Sequence, residues 1–357
     1  MPLKGEGKLS KRNIIPIFIP HYGCPNDCVF CNQRKITGMS TDISNSDVEN
    51  TILEYLSYFK RKDNIEVAFY GGSFTAIPID KQSEFLEVAH RYKGKGLVKY
   101  IRLSTRPDAI DHEILKNLKK YGVDIIELGV QSLDEEVLSL SNRGHDAACV
   151  YSASKLIKDY GFSLGLQQMV GLPGDNIDKS IYTAREFVKL KPDCVRIYPT
   201  LVIKETALYK NLIDGKYKAL DLDSSIKFVA DILDIYYKND INVIRVGLQP
   251  TENINYDKDV IAGAFHPAYR QLVEAYYFKR GLLNYFIKSK NISNEILIFA
   301  SGKNISNISG QKSKNKDEII KELDISKIKL REKDLGSFDV EIQAKFSELI
   351  DIRDYYG

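Results

Sequence analysis

The sequence predicts an α/β fold, built as a partial or complete α/β barrel, and three observations carry that prediction. Strand-like apolar runs alternate with amphipathic helical stretches along most of the chain. Several of those runs end in polar or Gly-rich residues, which is where parallel α/β folds place their ligands. The first run leads straight into a cluster of cysteines.

The runs fall at residues 14–20, 66–72, 100–106, 125–132, 162–171 and 194–200. After the first, Val48, Ile52, Tyr55, Leu56 and Phe59 share one helical face, with Ser46 as the expected N-cap. Ile181, Ala184, Phe187 and Val188 repeat the pattern, as do Ile226, Val229, Ala230 and Leu233. The polar ends are Gly71-Gly72-Ser73, Ser104-Thr105-Arg106, Gln131-Ser132 and the stretch from Gly171 to Asp175, and they are expected to converge on one site. A seventh run at 242–248 precedes Gln249-Pro250-Thr251-Glu252. Later, 295–300 and 338–342 look like strands separated by a polar, Lys-rich segment, so the tail is expected to form a small α/β appendage.

With 357 residues the chain can hold one large domain and a smaller one. A formal net charge of +3 excludes reliance on bulk charge to hold nucleic acid. Lys312, Lys314, Lys316 and Lys321 read as a solvated face, with a local basic patch that contacts RNA as the alternative. No apolar run is long enough to span a bilayer and no secretory leader is legible, so the expected location is cytoplasmic, with no membrane partner.

Of five cysteines, Cys24, Cys28 and Cys31 lie together and Cys149 and Cys194 stand alone. The solitary pair read as small buried hydrophobes. Three thiolates at the spacing of the first group can each bind a different iron of a [4Fe–4S] cube, leaving one iron open to an exogenous ligand. Structural zinc is the competing reading, and it would need Cys149, Cys194 or His21 as a fourth ligand. Gly71 and Gly72 allow the backbone to approach a ligand closely. Gln131 is expected to point into the barrel mouth. Arg143 is expected within a helical segment running from Ser141 to His145, either as a carboxylate-binding fork or as a surface side chain. Gln167 either binds hydroxyls or is satisfied by backbone. His145 and His266 read as structural residues.

Residues 18–38, together with Phe69-Tyr70-Gly71-Gly72-Ser73-Phe74-Thr75, Leu103-Ser104-Thr105-Arg106-Pro107-Asp108 and the stretch from Glu127 to Asn142, resemble the Elongator-type group of radical S-adenosylmethionine (SAM) enzymes. The stretches 247–252 and 262–268 are similar to that group's C-terminal extension. The resemblance implies a partial TIM barrel over 1–240, an extension over 241–285 and an appendage over 286–357. It implies a [4Fe–4S] cluster on Cys24, Cys28 and Cys31, with SAM at the open iron. SAM contacts are then expected from Phe30 near the adenine, from Gly71, Gly72, Ser73, Phe74, Ser104, Thr105 and Gln131, from Arg143 at the carboxylate and from Gln167 at the ribose. The implied chemistry is reductive cleavage of SAM to a 5′-deoxyadenosyl radical, fed by a low-potential donor such as ferredoxin or flavodoxin, with tRNA as the substrate. Two departures concern the acyl-transfer step of the best known relatives. The first cysteine gap is shorter than in eukaryotic Elongator subunits, and the chain ends without room for an acetyltransferase domain. The run from Gly129 to Ser132 and Arg143 also resemble oxygen-independent coproporphyrinogen dehydrogenases, so a small-molecule oxidoreductase is the second reading. A metal-stabilised RNA-binding protein is the third.

Overall fold

The computed structural model describes residues 12–19, 27–32, 43–248, 255–256 and 258–357. Cys24, His21 and the stretch 249–252 lie outside the described residues. Each apolar run becomes a strand: β1 Asn13–Ile19, β2 Ile65–Gly71, β3 Tyr100–Thr105, β4 Ile125–Gln131, β5 Ser163–Val170, β6 Cys194–Pro199 and, after a short β7 (Leu201–Ile203), β8 Val243–Val246. They form one seven-stranded sheet in the order β1-β2-β3-β4-β5-β6-β8, with parallel pairing from β1 through β6. The order follows the chain and does not return to β1, which makes a partial barrel, in agreement with the expected fold class. Pro16 lies inside β1, where it is tolerated because an edge strand leaves one row of N–H groups without sheet partners.

Helices make the crossovers: α1 Asn45–Tyr58, α2 Ile79–Gly94, α3 His112–Lys120, α4 Glu135–Leu140, α5 Ala147–Asp159 and α6 Ile177–Leu190. One face of the sheet, carrying Ile15, Ile17, Val67 and Phe69, is fully buried and apolar. In α1 the buried stripe is Val48, Ile52 and Leu56, as the spacing predicts. The N-cap, however, is Ser44 and not Ser46. Asp47 stands three residues after Ser44 and closes a capping box, its carboxylate accepting from the Ser44 backbone N–H. Glu49, which would serve Ser46 in that way, instead accepts from Tyr92 Oη at 3.0 Å and Arg91 at 3.2 Å.

The chain divides into two compact units, the first made of residues 1–220, 241–244 and 248–265, the second of 221–240, 245–247 and 266–357. In the first, β7 is followed by α7 Ala207–Ile213 and pairs antiparallel with β9 (Val260–Gly263) over a small cluster of Leu201, Ile203, Val260 and Phe265. The second contains α8 Leu222–Lys238, α9 Tyr269–Ser289 and a four-stranded sheet. Its strands are β10 Glu295–Ala300, β11 Lys327–Glu332, β12 Asp339–Gln343 and β13 Ser347–Asp351, in the order β11-β10-β12-β13. The segment after β10 is more structured than its polarity suggests. It holds α10 Gly302–Ser309, α11 Lys314–Glu322 and β11, because Ile308, Ile319 and Ile328 give it buried anchors between exposed lysines. Among the described residues no helix is long and apolar enough to cross a membrane.

Candidate functional site

The polar ends of β2, β3 and β4 converge and Gln167 of β5 joins them, whereas Ser132 and the stretch from Gly171 to Asp175 do not line the cavity they form. Gly71, Gly72 and Ser73 after β2, Ser104, Thr105 and Arg106 at β3, Gly129 and Gln131 of β4, and Gln167 of β5 line one cavity. Cys28, Phe30, Cys31 and Arg143 complete its wall. Gly71 has φ +111°, and a Cβ there would lie 2.2 Å from the carbonyl oxygen of Ile19, so no other residue fits without moving the end of β1. The next amide, Gly72 N–H, donates to that same carbonyl at 3.1 Å.

Two of the expected hydroxyl contacts are already engaged by the protein. Thr105 Oγ1 lies 2.8 Å from Ser73 Oγ and 2.5 Å from Thr75 Oγ1, and Thr75 donates to the Ala109 carbonyl. This chain of hydroxyls ties the end of β2 to the end of β3. Phe74 is not brought to the cavity: its ring is buried in the core, 4.9 Å from that of Phe69. Other atoms have no protein partner. Ser104 Oγ, Gln131 Oε1 and Arg143 Nε are buried without a hydrogen bond, and all three belong to lining residues. Native proteins rarely leave buried polar atoms so, and three around one cavity mark it as built for a polar ligand. Gln131 also sits at φ +73°, where the β4–β5 register shifts, a backbone state that non-glycine residues seldom adopt.

Arg143 differs from its sequence expectation. It does not lie in a helix, because α4 ends at Leu140 and α5 begins only at Ala147. It occupies the intervening turn, where Asn142 takes φ +52°, and it is 5% exposed. The turn packs against the cysteine loop: Val29 N–H donates to the Ser141 carbonyl at 3.1 Å, and Asn142 Nδ2 to the Asp27 carbonyl at 2.9 Å. Within that loop Cys31 N–H donates to the Cys28 carbonyl at 2.9 Å. Arg143 Nη1 donates to Cys28 Sγ at 3.1 Å and Nη2 to the Gly129 carbonyl, and the guanidinium lies 6.0 Å from the Phe30 ring centre. Among the described residues no carboxylate pairs with it. A buried cation without an anion is costly, so the wall at Cys28 asks for negative charge from a ligand.

Beneath the cavity lies a set of charges that the motif reading missed. Arg12 pairs with Glu66, Glu66 with Arg102, Arg102 with Glu127, and Glu127 with Arg196, whose Nη2 donates to Tyr70 Oη at 3.0 Å. Glu66, Arg102, Glu127 and Arg196 are all buried. Burial alone would raise the Glu127 carboxyl, but Arg196 and Arg102 outweigh it and hold it at about 2. Glu127 also accepts from Gln167 Nε2 at 3.3 Å, which links this floor to the cavity. Period-2 alternation could have found part of the set, since Arg102 shares its strand's parity with Ser104, and Glu127 with Gly129.

None of the remaining candidates lines this cavity. Burial, helped by Arg143, lowers His145 to about 4, so its imidazole is neutral near pH 7. His266 Nδ1 accepts from Ala268 N–H at 3.0 Å. Burial raises Cys194 to about 11 and also raises Cys149, so neither is a ready thiolate. Cys194 packs 3.8 Å from Arg102 and Cys149 lines a separate cavity with His145, so neither joins Cys28 and Cys31 as a zinc ligand in this arrangement.

Comparison with known proteins agrees with this geometry. Residues 18–187 match the radical SAM superfamily model, and residues 192–279 match the radical SAM C-terminal domain. The chain is 30% identical over 236 residues to an uncharacterised protein of Methanocaldococcus jannaschii, covering 64% of this chain and 69% of that one. It is 31% identical over 191 residues to the tRNA uridine(34) acetyltransferase of Methanocaldococcus infernus, covering 47% of this chain and only 35% of that one. It thus spans about a third of the length of that relative. Among solved structures, the archaeal Elp3 of Methanocaldococcus infernus, lacking its first 46 residues, superposes with a TM-score of 0.60 at 20% identity, over 97% of this chain and 76% of that one. The chain belongs to the radical SAM superfamily, as an enzyme similar to the Elongator-type members.

Proposed function

We propose that the cavity binds SAM beside a [4Fe–4S] cluster held by Cys24, Cys28 and Cys31, and that the enzyme uses them to modify tRNA in the cytoplasm. The observation that carries this reading is Arg143, a buried guanidinium that touches Cys28 Sγ, has no carboxylate among the described residues, and stands beside the unpartnered Ser104 Oγ and Gln131 Oε1. A thiolate-bound cluster and an amino-acid cofactor are both anion-bearing, so the donor set fits them. When bound, the cluster and SAM supply a 5′-deoxyadenosyl radical by one-electron cleavage of the sulfonium, with the electron coming from a ferredoxin or flavodoxin. The chain's own residues position and shield that pair. The Gly71-Gly72 backbone offers close approach. Ser104 Oγ and Gln131 Oε1 offer one donor-acceptor and one acceptor to the ligand. Gln167 donates to Glu127, which leaves its carbonyl oxygen as acceptor for a ribose hydroxyl. Phe30 gives the wall an apolar face that limits water. Support for tRNA comes from the relative that acts on uridine 34 of tRNA. Acyl transfer is outside the proposal, since the chain spans only 35% of that relative.

The test is anaerobic reconstitution, reduction with dithionite and assay of 5′-deoxyadenosine from SAM. Product should form, should vanish in Cys28→Ala, and should form faster with added tRNA. A protein that binds zinc and forms no product would overturn the reading. SAM cleavage indifferent to tRNA would overturn the substrate and leave the small-molecule alternative.

A further inference from the structure

The positive charge beside Cys28 comes from two guanidinium groups that are built as a unit. Arg106, at the end of β3, is 5% exposed. Its Nε and Nη2 each lie 2.9 Å from an oxygen of Asp108. The Nη2 group also donates to the Arg143 carbonyl, and the Arg106 backbone N–H donates to Ser73 Oγ at 3.1 Å. Its Nη1 stands 4.0 Å from Cys28 Sγ, the same sulfur that Arg143 Nη1 reaches at 3.1 Å. Arg143 Nη2 is committed to the Gly129 carbonyl. Both terminal nitrogens of Arg143 are therefore engaged by the protein, one of them on the sulfur.

We infer that Arg143 sets the reduction potential of the cluster through the Cys28 sulfur, and that Arg106 is the residue that positions it. The inference rests on the cluster reading above. Reduction adds an electron to the cluster. An N–H···S bond from a buried cation stabilises the more negative state and raises the potential. Asp108 offsets most of the charge of Arg106, and 4.0 Å is the outer limit of contact with sulfur, so Arg106 acts mainly by holding the Arg143 backbone.

The experiment is an EPR-monitored redox titration of the reconstituted protein without SAM, on wild type, Arg143→Met, Arg143→Lys, Arg106→Gln, Arg106→Lys and the double variant Arg106→Gln with Arg143→Met. Iron and sulfide content and thermal unfolding identify the variants that assemble. Arg143→Met should lower the reduced-to-oxidised ratio at a fixed potential about tenfold, a shift of about 59 mV for one electron. Arg143→Lys should recover most of that shift. Arg106→Gln and Arg106→Lys should both shift it in the same direction by less, since neither side chain can hold Asp108 and the Arg143 carbonyl together. The double variant should match Arg143→Met alone. An unmoved potential in Arg143→Met would overturn the inference. Additive shifts in the double variant would overturn the positioning role of Arg106. A wild-type protein without an EPR-active cluster would overturn the site reading itself, and this inference with it.

Discussion

Glu127→Gln is the most informative single change to the floor of the site. The carboxylate is 1% exposed and bridges two guanidinium groups, Arg102 on β3 and Arg196 on β6, while also receiving Gln167. Gln is nearly isosteric, so the change removes charge and leaves volume. Arg102 keeps Glu66, but Arg196 loses its only carboxylate among the described residues. Removing one partner of a buried pair costs about 3–5 kcal/mol, because the other charge is left uncompensated. The titration gives a second route to the magnitude. The folded carboxyl sits at about 2 against an ordinary value of 4.5, and each pH unit of that depression is about 1.4 kcal/mol, so the charge contributes roughly 3 kcal/mol. The sign follows from the depression: this stability is complete above pH 4.5 and is lost as pH falls toward 2. Urea unfolding of cluster-free wild type and variant should therefore differ by about 3 kcal/mol at pH 7 and by only about 1 kcal/mol at pH 3. A variant as stable as wild type at pH 7, or a gap that does not narrow in acid, would refute the reasoning.

Three further changes probe the surroundings. In Gly165→Ala the new Cβ would lie 2.6 Å from Glu127 Cγ and 3.2 Å from Cys194 Sγ, so the floor must shift, with an expected loss of about 1–3 kcal/mol in urea unfolding. In Ser104→Ala the buried hydroxyl without a protein partner disappears, so stability should hold or rise slightly while the dissociation constant for SAM rises about fivefold by equilibrium dialysis. His145 is held at about 4, so His145→Gln should leave the pH dependence of SAM cleavage between pH 6 and 8 unchanged, and a lost inflection in that range would show that the imidazole titrates in the site.

The parts of the molecule legible in the sequence are those governed by short-range rules. Strand runs such as 125–132 became β4 because β-branched and apolar residues stop at a polar end, and those polar ends are the cavity wall. A local rule also explains the displaced N-cap of α1, since Ser44 and Ser46 are both acceptable caps and only the partner three residues on decides between them. Arg143 is legible as a candidate residue, but the turn that carries it is not what its expected helical setting implies. Helix α4 ends by a local device, with Asn142 at φ +52° and the Arg143 and Asn142 N–H groups donating to the carbonyls of Leu138 and Ser139, and the turn so formed then packs on the cysteine loop. The pairing of the charged floor depends instead on which strands lie side by side. Glu66, Arg102, Glu127 and Arg196 each stand alone in an apolar strand and read as isolated anomalies until the register aligns them.

That register also explains why floor and wall belong to one device. Glu127 sits on the same face of β4 as Gly129, and it holds the β5 residue Gln167 at the cavity edge. Gly165, two residues before Gln167 on β5, has no Cβ because Glu127 occupies that space. A change in the floor is therefore expected to move Gln167 or the bulge at Gln131, two side chains that line the cavity from β5 and β4. Glu127→Gln should weaken SAM binding as well as stability, whereas disruption of a remote pair such as Lys93–Asp124 should affect stability alone. Comparing the SAM dissociation constants of Glu127→Gln and Asp124→Asn at matched loss of stability separates the two cases, and equal constants would mean that the floor supports the fold without shaping the site.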